Sequence, residues 1–348
     1  MKLLYGTASD GVCLRRCFGL DGEVRLPDQV EGIPVTRLGP YLFSDGMERA
    51  GILKRMKIPL FLWEEGRGSL PVREPLGGQD LLEWEGLPAA SGPALTSLSL
   101  PSEIRQVGAY SLYGCSSLKR LEFSLSISDW GAGVFTGCTN LEILGVWPGA
   151  GGRSCLKEVL SELRQTLEVE FYDSQPGPAR QIHPRACLVL PEFYEESVEN
   201  TPARIVSRQM HGCGHMYRYC FADGRFSFRE YDRLFSYMKA EENPALACRM
   251  ALYRLYWPED LGEEAKESYR AYLHEHPFET ARNLLRPRCG EILKKVLADP
   301  SLSRALWECL SDLAQKEGQR GLTAQLMEAF HQHFGQSAAK GRKRRFEL

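Results

Sequence analysis

The sequence predicts an α+β chain: a short solenoid of parallel strands stacked at a 23-residue period, then an all-helical array of short antiparallel helix pairs. Three observations carry that prediction. Residues 95–146 repeat in register. From about residue 226 onward, apolar residues recur at helical spacing, with Pro and Gly between the runs. Between these parts, Gln175-Pro176-Gly177-Pro178 gathers the strongest turn chemistry. The expected domains are a solenoid over 1–174 with an irregular insertion at 60–93, a junction over 175–225, a helical domain over 226–339 and a basic tail over 340–348.

The repeat is legible position by position. Leu95, Leu98 and Leu100 return as Leu118, Leu121 and Phe123, and again as Leu141, Leu144 and Val146. Ile104 returns as Ile127, Gly108 as Gly131, Leu112 as Phe135 and Cys115 as Cys138. Leu98 and Leu100 alternate with Ser97 and Ser99, as a strand with one buried face requires. Leu121 and Phe123 alternate with Arg120 and Glu122 in the same way. Gly108 and Gly131 mark bends where a side chain would block close approach. A coil of this size cannot cover its own apolar face, so successive coils must stack.

These residues resemble the bacterial leucine-rich repeat class called BspA-like. Its coils read L-x-x-L-x-L-P, then I-x-x-I-G-x-x-A-F-x-x-C. Leu112 and Phe135 stand at the Phe position, and Ser111 and Val134 at the Ala position. Val107 and Trp130 replace Ile, and Phe123 lacks the following Pro. The resemblance implies a curved right-handed solenoid with a parallel sheet on one side and no catalytic residues, so no enzyme. Many BspA-like proteins are secreted or surface-bound. The helical half is similar to the C-terminal halves of some bacterial leucine-rich repeat proteins, through Tyr217–Cys220, Glu230–Phe235 and Phe346–Leu348. That similarity carries no activity with it.

Earlier in the chain the rhythm is degenerate. Val24-Arg25-Leu26-Pro27 fits a strand, and Ile33 to Gly39 with Leu42-Phe43 fits the rest of a coil. Gly39 and Gly108 lie 69 residues apart, three periods of 23. Leu53 to Ile58 reads as a further strand. The insertion is rich in Gly and Pro and holds Trp63 and Trp84. It reads as a surface loop, or as a recognition loop, since Trp is over-represented at binding hot spots. Leu156 to Leu167 has helical spacing, and Cys187 to Pro191 is a further strand or a linker. Helices are expected over 227–239, from Pro244, and over 263–273, 279–285, 291–297, 301–315 and 323–334.

Bulk properties exclude several classes. The net charge of −2 asks for no nucleic-acid partner. No stretch is apolar enough to span a membrane, and the N-terminus lacks a signal-peptide core. Eleven cysteines without framework spacing point to reduced thiols in a cytoplasm. There is no phosphate-binding G-x-x-x-x-G-K-S/T loop and no G-x-S-x-G elbow.

Three sets of candidate residues remain. The coil positions that should face outward (Ser97, Ser99, Arg120, Glu122, and then Ile143 and Gly145) vary while the buried positions repeat. With Trp63 and Trp84 they form the expected partner-binding surface for a protein of unknown identity. His211, Cys213, His215 and Cys220 place four borderline-soft donors within ten residues, a set zinc could take tetrahedrally. Against zinc stands the spacing H-x-C-x-H-x4-C, which fits no common knuckle. The competing reading is a structured turn with a buried Cys220. Residues 340–345 carry five positive charges, a hook for nucleic acid or an acidic partner, or a solvated terminus. The leading functional expectation is a non-enzymatic interaction or scaffold module. A metal or catalytic site at His211–Cys220 and a self-assembling structural protein are the alternatives.

Overall fold

The computed structural model describes residues 1–44, 60–71, 88–149, 154–177, 183–200, 205–299 and 303–333. Leu53 to Ile58, Trp84 and the basic tail lie outside the described residues. The chain divides into two compact units, Met1–Ser227 and Phe228–Leu348.

The first strands of unit 1 are β1 (Lys2–Ala8), β2 (Gly11–Phe18), β3 (Glu23–Arg25), β4 (Gln29–Val30), β5 (Ile33–Leu38), β6 (Leu60–Glu64) and β7 (Gly68–Pro71). The repeat holds β8 (Ser97–Ser99), β9 (Gln106–Val107), β10 (Arg120–Ser124), β11 (Asp129–Trp130) and β12 (Ile143–Trp147). Helix α1 (Leu156–Glu162) follows, then β13 (Leu167–Phe171) and β14 (Ala186–Leu190). A ribbon of β15 (Tyr194–Asn200) and β16 (Ile205–His211), helix α2 (Gly214–Tyr217), and a small hairpin of β17 (Phe221–Ala222) and β18 (Arg225–Phe226) complete the unit.

The chain winds between two sheets as a solenoid of about five turns. In one sheet β3, β8, β10, β12 and β13 run parallel, in the order β14-β13-β12-β10-β8-β3. Val24, Leu98, Leu121, Leu144 and Val169 face one another as direct partners. All five are buried, at roughly 1.5–3 kcal/mol for each such side chain removed from water. In the other sheet β2, β5, β9 and β11 run parallel, and their column reads Leu14, Leu38, Val107, Trp130. Trp130 stands at the Ile position because Phe123 and Phe135 flank its indole, with ring centroids 5.2 Å away on each side.

Both ends of the stack are closed. The β1–β2 hairpin and the inserted β6–β7 hairpin extend the second sheet with antiparallel strands. Trp63 therefore sits on β6, opposite Leu3, and not in a free loop. At the other end β14 pairs antiparallel with β13, and every residue of both strands is buried. The stretch expected as a junction thus begins by extending the solenoid's own sheet. Helix α1 is shorter than its spacing suggested, because Leu163 turns extended ahead of β13.

The glycine column explains the repeat signature. A Cβ on Gly108 would lie 2.5 Å from the backbone nitrogen of Pro40, and one on Gly131 would lie 2.4 Å from that of Ala109. Gly39 and Gly108 are thus on adjacent coils, although 69 residues separate them along the chain. Two residues further on, Tyr41, Tyr110 and Gly133 all take left-handed backbone, with φ of 56°, 55° and 64°. Tyr41 and Tyr110 bear the strain of that conformation, but Gly133 could not take a side chain without displacing its neighbour, because a Cβ there would meet the Tyr110 ring at 2.4 Å.

Unit 2 is helical. It comprises α3 (Phe228–Arg233), α4 (Phe235–Glu241), α5 (Pro244–Tyr256), α6 (Glu263–Glu275), α7 (Pro277–Leu284), α8 (Gly290–Ala298), α9 (Arg304–Lys316) and α10 (Arg320–His333). The single helix expected over 227–239 is two, broken at Leu234. Asn243 and Ser303 cap α5 and α9 by accepting the N–H groups of Leu246 and Leu306. Helix α5 packs against α6 and α7, α7 against α9, and α9 against α10.

Candidate functional site

The polar positions of the parallel sheet do not face solvent. Arg120, Glu122 and Ser99 are buried at 9%, 3% and 6% exposure, with Ser97 half-buried. The expectation of an open, variable sheet face is therefore corrected. Arg120 donates from Nε to Glu122 Oε1 at 2.6 Å and from Nη2 to Glu170 Oε2 and to the Tyr172 hydroxyl. The Tyr172 hydroxyl donates to Glu170 Oε2 at 2.7 Å. Glu122, Gly145 and Glu170 share one row across β10, β12 and β13. With no side chain at Gly145, the guanidinium spans that row, and its Nη2 would lie 3.5 Å from a Cβ placed there. Burial and the neighbouring Arg120 have opposed effects on the Tyr172 phenol, and burial prevails, raising its pKa.

The cover is the segment that follows β13. Tyr172 fills the trough above Gly145. Gln175 donates to the Leu100 carbonyl at the end of β8, and Arg25 on β3 donates to the Pro176 carbonyl. Residues 172–177 thus run from β13 back across the sheet to β3. The turn-forming Gln175-Pro176-Gly177 is a strap within unit 1, not the unit boundary.

On the other side of the coils a tyrosine ladder is open. Tyr41 and Tyr110 stack with centroids 5.3 Å apart at 12°, and Tyr113 meets Tyr110 edge-on at 6.0 Å. Tyr41 and Tyr110 are partly exposed and Tyr113 is exposed. The Tyr41–Tyr110 stack exists because one left-handed turn position recurs in successive coils and both coils place Tyr there. The sequence reading missed it, although Tyr41 and Tyr110 stand two residues after the aligned Gly39 and Gly108.

The four expected metal donors are placed separately. The His211 ring stacks on Tyr194 at 4.5 Å and its Nε2 lies 3.0 Å from Glu196. His215 Nδ1 lies 3.1 Å from the Gly212 carbonyl. Cys213 is fully buried ahead of α2, and the Cys220 thiol donates to the Met216 carbonyl. Among the described residues no three His, Cys, Asp or Glu side chains gather as a metal site would need. The geometry gives zinc no cradle here.

What the motif builds is a latch around Arg218, a residue the sequence reading passed over. Arg218 has no exposed surface. Its Nε donates to the Leu163 carbonyl at 3.2 Å, Nη1 to Pro191 at 2.8 Å and Nη2 to Gln165 at 2.8 Å, with Phe193 beneath the guanidinium. Gly214 permits this, since a Cβ there would lie 2.2 Å from the Pro191 carbonyl oxygen. The latch ties α2 to the loops on both sides of β13 and β14. Unit 2 has its own buried cation. Arg254 forms a two-pronged pair with Asp232 at 2.7 and 2.8 Å, and Tyr269 donates to the same carboxylate at 2.8 Å. Burial holds the Tyr269 phenol well above its ordinary pKa.

Residues 90–149 match the family model described as BspA type Leucine rich repeat region (6 copies). The Leu98–Leu121–Leu144 column and the glycine column lie within that span. This stretch is a BspA-type leucine-rich repeat region. The coil formed by β3 and β5 precedes the match and stacks directly beneath the repeat region's first coil. No curated protein and no solved structure matches the chain. Among the described residues no helix is long and apolar enough to cross a membrane.

Proposed function

We propose that the chain is a non-enzymatic protein–protein interaction module that binds its partner through the solenoid. The carrying observation is the open Tyr41–Tyr110–Tyr113 ladder on a rigid coil stack whose opposite, polar face is strapped shut. Tyrosine suits this role: it offers a large contact area with few rotatable bonds and a hydroxyl for hydrogen bonding. The expected partner surface accordingly moves from Ser97, Ser99, Arg120 and Glu122 to the ladder. Trp63 is half-buried on β6 opposite Leu3 and is not part of that surface. Eleven free thiols, ten of them buried, support a reducing compartment.

A photo-crosslinking residue at Tyr113 should capture one discrete protein in the native cell. The purified pair should then bind about tenfold more weakly with Tyr110→Ser. Adducts to a second copy of this chain would instead favour self-assembly. An identified partner whose affinity ignores Tyr110→Ser and Tyr113→Ser would sink the ladder reading.

A further inference from the structure

Unit 2 carries an unfilled groove of about 450 Å³ between α5, α6, α8 and the start of α9. That lies within the range of about 300–1,000 Å³ typical of small-ligand sites. Its wall includes Leu255, Leu261, Leu273, Val296 and Leu306, each only partly buried. A tightly packed helical core would have covered these side chains, so the groove is apolar surface left for an occupant.

The rim sets the occupant's charge. Lys266, Arg270 and Lys295 line it, against Glu263 and Asp299. Glu263 is taken up by Lys266 at 3.1 Å. Lys295 lies 4.2 Å over the Tyr256 ring and has no carboxylate partner among the described residues. The N-terminus of the 13-residue helix α9 opens onto the same rim through its cap Ser303, which adds positive potential.

We propose that this groove binds a small amphiphilic monoanion, a carboxylate on an unbranched apolar chain of about eight to twelve carbons. The chain lies along the leucines and the carboxylate meets Lys295 at the mouth. The site is independent of the solenoid and of any protein partner.

Decanoate, decan-1-ol and decyltrimethylammonium, each kept below micelle formation, test the idea by calorimetric titration of the full chain. Decanoate should bind with a Kd on the order of 0.1 mM. Decanol should bind at least fivefold more weakly, and the cationic amphiphile not measurably. Lys295→Glu, an exposed change, should weaken decanoate about tenfold and leave decanol within twofold. Val296→Trp, which fills the groove, should abolish both, with an unchanged circular dichroism spectrum showing that the fold survives. Equal binding of decanoate and decanol, indifference to Lys295→Glu, or no decanoate binding by the folded protein would each overturn the proposal.

Discussion

Replacing Arg218 with Met removes the latch while keeping much of its volume. Three carbonyl oxygens, of Leu163, Pro191 and Gln165, receive N–H donors from Arg218 at 2.8–3.2 Å. Leaving a buried acceptor without its donor costs about 1–3 kcal/mol. Three such losses sum to about 3–9 kcal/mol. The guanidinium itself was costly to bury, and relief of that cost offsets part of the loss. A net destabilisation of about 4 kcal/mol is expected, with Arg218→Lys intermediate because one ammonium cannot span three acceptors. Urea unfolding followed by circular dichroism reads the total. Hydrogen exchange at Leu144 and Val169, compared with amides of α5, assigns the loss to unit 1, since a two-unit chain need not unfold in one step. A loss under about 1 kcal/mol, or one shared equally by α5, would refute the latch.

Other expectations follow from single contacts. Gly133→Ala should cost about 2–3 kcal/mol, and Gly32→Ala, equally left-handed but with open space around it, only about 1 kcal/mol, both read from urea midpoints. Asp232→Asn should destabilise unit 2 by about 3 kcal/mol by stripping a buried guanidinium of its counter-ion, with exchange in β10 and β12 unchanged. A thiol-reactive probe at pH 8 should label partly exposed Cys309 first, though slowly because burial and the nearby Asp312, Glu279 and Glu308 raise its pKa, and the ten buried cysteines only on unfolding. Burial pushes the Cys17 and Cys138 thiols up to about 12. A thiol pKa raised in the fold means that native protein holds protons which the unfolded chain has lost. Stability from these groups is therefore intact below about pH 9 and falls as pH climbs toward 12.

What could be read from the sequence depended on how local the determinant was. The Leu98, Leu121 and Leu144 column was legible because a fixed period keeps neighbours in space at a fixed distance in sequence. Gly39 was not placed beneath Gly108 with any force, because the insertion hides their adjacency. The alternation of Ser99, Arg120 and Glu122 with buried leucines gave the right strand, yet it could not tell solvent from a strap. Polar side chains are tolerated in the interior when paired, and the strap that buries Arg120 begins at Tyr172, 52 residues away. His211 to Cys220 drew attention to its metal-ligand chemistry, while its packing needs at Gly214 and Arg218 depend on Pro191 and Leu163. Asp223-Gly224 was a readable hairpin turn that went unused; both residues have positive φ between β17 and β18. In unit 2, Pro244 announced its helix, but nothing local announced the break at Leu234.

The stacking of coils is tested most directly by amide–amide nuclear Overhauser contacts in deuterated, nitrogen-15-labelled protein. Parallel neighbours about 4.8 Å apart require cross-peaks linking β8 to β10 around Leu98 and Leu121, and β10 to β12 around Leu121 and Leu144, at separations near 23 residues. Contacts from Leu121 to residues in any other register, with none to β8 or β12, would contradict the solenoid and the tyrosine ladder built on it.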